Sequence, residues 1–169
     1  FEVINDRGVR LKPYEILKGK LLGQIDKEEL NVLKFNELWD GQVSKINRNN
    51  PDAIDSFFIY LLKAKFSNTI GESRKFDREY HRALFAETSL NLDHNPNNVK
   101  KFLQNDFLYY SSLYVKLVKY TTELNHEFEH VYYNSLTDRG QQFLLIMSAC
   151  NVDDVQEKEK IQCVSYHID

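Results

Sequence analysis

The residues best suited to chemistry form the pentapeptide His-Glu-Phe-Glu-His at positions 126–130. It satisfies H-E-x-x-H and its reverse, H-x-x-E-H, at once. On a helix His126 and His130 would share a face and could hold zinc, while Glu127 polarised a bound water. The context speaks against a zinc hydrolase. Glu129 adds a carboxylate where the zincin helix keeps its intervening positions uncharged, and only Glu157 and Glu159 on a later helix could supply a third ligand. The competing reading is a polar helix end, Asn125 to His130, after a long apolar seam. No metal is therefore assigned to the chain, with His126, Glu127 and His130 as its weak candidate site.

A second constellation is electrostatic. Between positions 63 and 82, Lys63, Lys65, Arg74, Lys75, Arg78 and Arg82 stand against Glu72, Asp77 and Glu79. Cations of this density beside a polar stretch suit a phosphate backbone, which makes Lys65, Arg74, Lys75, Arg78 and Arg82 the candidate nucleic-acid contacts. The plain alternative is a solvated helix face with internal ion pairs. Tyr109, Tyr110, Tyr114, Tyr120, Tyr132 and Tyr133 could stack on bases, although at helical spacing such residues more often fill a core. No nucleophile elbow accompanies the serines, and neither Cys150 nor Cys163 has a context that argues for catalysis.

The elements that must position these groups read as helices. The chain has 169 residues with few glycines and prolines, and its apolar content suffices for one compact core. A net charge of -3 gives no global field for a polyanion, so any such surface must be local. Two cysteines are too few for a disulfide framework and fit reduced thiols in a cytoplasm. No apolar run reaches the roughly 18 residues of a membrane span. Pro13, Pro51 and Pro96 each stand where a helix can begin, with Asn50 and Asn95 as caps before two of them. Asp26 and Glu29 form a capping box ahead of an apolar stripe of Val32, Phe35, Trp39, Val43 and Ile46, which predicts one helix through position 46. Ile54, Phe57, Phe58, Leu61 and Leu62 give the next buried face. Positions 67–73 read as a polar loop, and Phe76, Tyr80, Ala83 and Leu84 as a shorter helix.

Leu103, Phe107, Tyr110, Tyr114, Leu117, Thr121 and Leu124 then form the seam of the longest helix. Phe143 to Cys150 is apolar nearly all round and is the expected centre of the core. A last helix from about Asp153 carries Val155, Ile161, Val164 and Ile168. The fold expected is mainly α, a multi-helix bundle with one short strand at Phe1 to Ile4.

The chain opens Phe-Glu-Val-Ile-Asn-Asp-Arg-Gly, without a methionine. Phe1 and Val3 alternate with Glu2 as in a strand, and Asn5 to Gly8 suit a tight turn in which Gly8 takes a positive φ. A helix N-terminus follows, with Arg7, Arg10 and Lys12 near it, a combination that attracts anions. Asn5, Arg7, Gly8 and Arg10 are thus the candidate phosphate ligands, against the plain reading of a structural turn.

The segment FEVINDRGVRLKPYEILKGKLL resembles the form F-x-x-I-N-x-R-G-x-x-L-x-x-x-[DE]-[IL]-[IL]-K of the family of unknown function typified by the GmrS part of GmrSD modification-dependent restriction enzymes. Phe1, Ile4, Asn5, Arg7, Gly8, Leu11, Glu15, Ile16, Leu17 and Lys18 carry the match. Lys12 stands where a serine often caps the helix, and Gly19 where asparagine is common. The resemblance implies a larger, cytoplasmic defence protein. A ParB/sulfiredoxin-like α/β head with an Asp-Gly-Gln-Gln-Arg motif would precede this segment, and an HNH-type nuclease domain often follows. It also implies a nucleoside triphosphate and a divalent metal in the full-length protein, with none in this chain, and NTP-dependent endonuclease activity outside it.

Residues 1–24 would complete the head and residues 25–169 would form the helical domain, itself non-catalytic and in contact with DNA. A protein-interaction bundle without a nucleic-acid role is the alternative, and a zinc hydrolase at residues 126–130 the third. Asp-Gly-Gln in residues 40–42 and Arg-Gly-Gln-Gln in residues 139–142 share letters with the head motif but lie in helical patterns, by coincidence.

Overall fold

The computed structural model describes residues 11–168, and the expected strand at Phe1 to Ile4 lies outside them. The described residues form a mainly α multi-helix bundle. In order they are α1 (Pro13–Leu22), α2 (Lys27–Val32), α3 (Phe35–Ile46), α4 (Ala53–Phe66) and α5 (Ile70–Ala86). A second run follows: α6 (Pro96–Lys101), a π-helical segment (Phe102–Phe107), α7 (Leu108–Thr122), α8 (Glu129–Leu136), α9 (Gln141–Ala149) and α10 (Glu157–Tyr166). No described helix is long and apolar enough to cross a membrane.

Local chemistry explains most boundaries. Pro13 occupies the first turn of α1, and Glu15 reaches back so that the Lys12 backbone N–H donates to its Oε2 at 2.7 Å. That is one half of a capping box; the Glu15 N–H, which a lysine side chain cannot accept, bonds the Lys12 carbonyl at 3.0 Å instead. α1 ends at Gly23, where a Cβ would come within 2.6 Å of the Gly19 carbonyl oxygen. Asn95 accepts from the Asn98 N–H at 3.2 Å and starts α6 at Pro96. At the start of α4, Asn47 Oδ1 accepts from the Ile54 N–H at 2.9 Å, while Asn50 bonds the Asp52 N–H one step earlier.

Four sequence expectations are corrected. The helix from Asp26 does not run to position 46: it breaks at Lys34, whose φ of 51° is left-handed, and Val32 is 78% exposed rather than part of the stripe. The polar loop stops at Thr69, whose side chain accepts from the Glu72 N–H at 3.2 Å while Glu72 Oε2 takes the Thr69 N–H, so a reciprocal capping box starts α5 inside the expected loop. The final helix begins at Glu157 instead of Asp153, with Val155 95% exposed. The centre of the core is not Phe143 to Cys150, because Leu145 in α9 is 45% exposed.

The centre is aromatic and lies between α3, α4, α5 and the π-helical segment. Trp39 stacks on Phe107 at 4.7 Å and on Phe58 at 5.9 Å, and Phe58 stacks in turn on Tyr80 at 5.3 Å. Such offset pairs add to the burial of large apolar area. α4 is the hub, packing against α1, α3, α5, α7 and α9, and the π-helical segment keeps Phe102, Leu103 and Phe107 all buried before the α7 seam of Tyr110, Leu113, Tyr114 and Leu117 continues. α8 and α10 close the far side on α7 and α9, where buried Asn134 Nδ2 donates to the Ser165 carbonyl at 2.8 Å.

Candidate functional site

α5 carries the charged constellation. Phe76, Tyr80 and Leu84 fall on one side of this helix and are buried. Tyr80 is pinned twice, by its stack on Phe58 and by its hydroxyl, which donates to Asp55 Oδ1 at 2.5 Å. Burial, with the Asp55 bond added, pushes that phenol far above its ordinary range. The backbone leaves helical geometry at Glu79, immediately before this pinned residue, with φ -142° and ψ 50°.

Arg74, Lys75 and Arg78 lie on the exposed side opposite Phe76, and Arg82, beyond the break at Glu79, is exposed as well. Their carboxylate neighbours are largely committed. Asp77 pairs with Lys63 at 2.6 Å, Glu79 with Arg82 at 2.9 Å, and Glu72 serves the capping box. Arg74, Lys75 and Arg78 make no ion pair among the described residues. Three adjacent free cations are therefore offered to solvent on a helix whose inner face is fixed.

Lys65 is not among them. Its ammonium turns inward at the C-terminal end of α9 and donates to the carbonyls of Ser148 at 3.1 Å and Cys150 at 2.5 Å and to Asn151 Oδ1 at 3.1 Å. It also lies 5.2 Å from the Tyr110 ring centroid, and the Tyr110 hydroxyl donates to the same Cys150 carbonyl. A cation at a helix C-terminus is favoured by its carbonyl dipoles. Burial pushes the Lys65 ammonium down, pushes the Cys150 thiol up to about 11 and holds the Asp106 carboxyl above its usual range. The node spans 85 positions, so no local pattern could have announced it. Replacing Lys65 by Met is expected to remove about 1–3 kcal/mol, read as a lowered urea midpoint, since hydrogen bonds to a charged donor are worth roughly that much and this one is partly solvated.

The H-E-x-x-H geometry is not formed. His126 and Glu127 lie in the turn after α7, and only Glu129 and His130 enter α8, so the two histidines do not share a helix face. Glu127 pairs with Lys158, and His130 packs edge-on against Tyr166 at 5.0 Å. The physical reason is Phe128, which is buried against Tyr120 at 4.5 Å and adopts a non-helical conformation as the α8 cap. No group of three or more metal-ligating side chains comes together among the described residues.

Four of the six candidate tyrosines serve the core, whereas Tyr133 is 48% exposed and Tyr132 packs edge-on against it. Tyr110 and Tyr114 are buried, Tyr120 stacks on Phe128, and Tyr109 packs edge-on against Tyr110. A groove of about 500 Å³ along α7 includes Val115, Lys116, Lys119 and Leu124. Its cations are neutralised, Lys116 by Glu157 and Lys119 by Glu123 at 3.6 Å. Asn5, Arg7, Gly8 and Arg10 lie outside the described residues. No family model matches the chain, and no curated protein or solved structure gives a match.

Proposed function

We propose that the chain is the helical module of a GmrSD-like, nucleotide-regulated DNA restriction and phage-defence protein of the cytoplasm, and that the module itself is non-catalytic. A ParB-like head on its N-terminal side binds the nucleoside triphosphate with a divalent metal, and an HNH-type domain on its C-terminal side cuts DNA. Asn5, Arg7, Gly8 and Arg10 complete the phosphate side of the head pocket, and the bundle contributes docking surface and DNA contact. The observation that carries this reading is the match of Phe1 to Lys18 to the family segment. The packing of α1, which contains the second half of that segment, into the core supports a rigid connection: Leu17 and Leu21 are fully buried against the bundle.

The test is full-length protein carrying Asn5→Ala and Arg7→Ala. Nucleotide turnover and phage restriction are both expected to fall by at least about tenfold, the loss of roughly one charge-assisted contact. Normal values of both would overturn the role of that turn. A protein-interaction bundle is the second reading, favoured by Leu136 and Tyr166, exposed on the packed pair α8 and α10.

A further inference from the structure

We infer that the outer face of α5 binds duplex nucleic acid through its phosphates alone, using Arg74, Lys75 and Arg78, with Arg82 held back by Glu79. The inference deepens the reading above and rests on it for the choice of DNA as polymer. The three free cations fall within about one turn of the regular helix that precedes the break at Glu79, with Arg74 and Arg78 about 6 Å apart along its axis. Two of the three are arginines, whose planar fork matches a phosphate in two hydrogen bonds. With a net charge of -3 over the whole chain, no diffuse attraction can substitute for this stripe.

The same helix offers neither an adenine reader nor a stacking ring, and its arginines are equally suited to phosphate oxygens. It contains no Asn or Gln for adenine edges, and its aromatic side chains are not available for stacking. Phe76 and Tyr80 point into the core, and Phe85 is half-buried beneath the Lys20 ammonium, 5.5 Å from its ring centroid. Asp77 and Glu79 flank the stripe and oppose deep entry into a groove between phosphates. Without a stacking platform, preference falls to the strand form with the denser charge, the duplex.

Fluorescence anisotropy on the 169-residue chain tests this, with a labelled DNA duplex of about 20 base pairs and one of its strands as probes. Three phosphate contacts predict a slope of log K against log salt near -2.7, so affinity for the duplex should fall about 40-fold between roughly 50 and 200 mM salt. Arg74→Gln, Lys75→Gln and Arg78→Gln together should cost at least about tenfold at the lower salt and flatten the slope. A charge-matched control, Lys27→Gln, Lys45→Gln and Arg48→Gln, should leave binding unchanged. Glu79→Gln, which releases Arg82, should tighten binding about two- to fivefold and steepen the slope by about 0.9, a gain that misfolding could not produce.

Equal losses from the two triple variants would overturn the inference. So would a single strand bound as tightly as the duplex, displacement by polyglutamate as effective as by DNA of equal charge, or no salt-dependent binding at all. The Asn5 and Arg7 variants report on the head connection independently, so failure here is separable from failure of the wider reading.

Discussion

Trp39→Ala is expected to lower the thermal midpoint by roughly 6–20 °C, because truncating a buried tryptophan costs about 3–5 kcal/mol and a domain of this size loses about 2–4 °C per kcal/mol. Trp39 is fully buried and touches both neighbours in the aromatic column, so its removal opens a cavity between α3, α4 and the π-helical segment. Against a total stability of about 5–15 kcal/mol, that is a large fraction. Trp39→Phe sharpens the test. The indole Nε1 is buried without an acceptor among the described residues, so phenylalanine keeps a stacked ring and removes an unsatisfied donor. The milder variant should therefore cost less than about half as much. Because Trp39 is the single tryptophan of the chain, unfolding by heat or urea in the parent protein is reported by its own emission, and the variants by far-UV circular dichroism. An unchanged midpoint in Trp39→Ala would mean that the core lies elsewhere.

What could be read from the order of residues was what depends on near neighbours. Pro13 and Pro96 start helices, Asn95 and Asp26 cap them, and the seam from Leu103 to Leu117 is buried as its three-and-four spacing requires. What escaped depends on partners far along the chain. The stripe Val32 to Ile46 has helical spacing throughout, yet the chain breaks at Lys34 and leaves Val32 in solvent, while α3 beyond the break seats Trp39 on Phe58 and Phe107. Phe143 to Cys150 looked central because its composition is apolar, but composition does not say how many neighbours a helix has, and α9 leaves Leu145 exposed.

The candidate site divided in the same way. Arg74, Lys75 and Arg78 share one exposed face because helical period places them there, opposite Phe76, and Arg82, beyond the break at Glu79, is exposed as well. Lys65 has the same chemistry and a similar position in the charge pattern, and the structure commits it to three acceptors at the end of α9. The His126 and His130 pair failed for a related reason: H-E-x-x-H has meaning only on a helix, and burial of Phe128 against Tyr120 turns the backbone out of helical geometry between them.

Leu21→Ala should lower stability by about 2–5 kcal/mol, a fall in thermal midpoint of roughly 4–20 °C, in a single cooperative transition. The residue belongs to the segment whose sequence resembles the restriction family, so the result bears on more than packing. Leu17 and Leu21 are fully buried and Leu22 nearly so, while α1 packs against α3, α4, α5 and α6. Polar contacts accompany them: Lys12, just before α1, pairs with Asp52 at 3.2 Å, Lys18 midway along it pairs with Asp40 of α3 at 2.7 Å, and Gln24, just past its end, accepts from the Asn95 N–H at 3.2 Å. Exposed pairs of this kind contribute little, so the leucines must supply most of the attachment. If α1 were a separate appendage, Leu21→Ala would leave the main transition in place, and hydrogen exchange would show α1 opening at low free energy. If it is part of the core, exchange in α1 should accelerate together with that in α4 and α5. The second outcome is expected, and it would make α1 and α5, the helix that carries the free cations, parts of one cooperative unit.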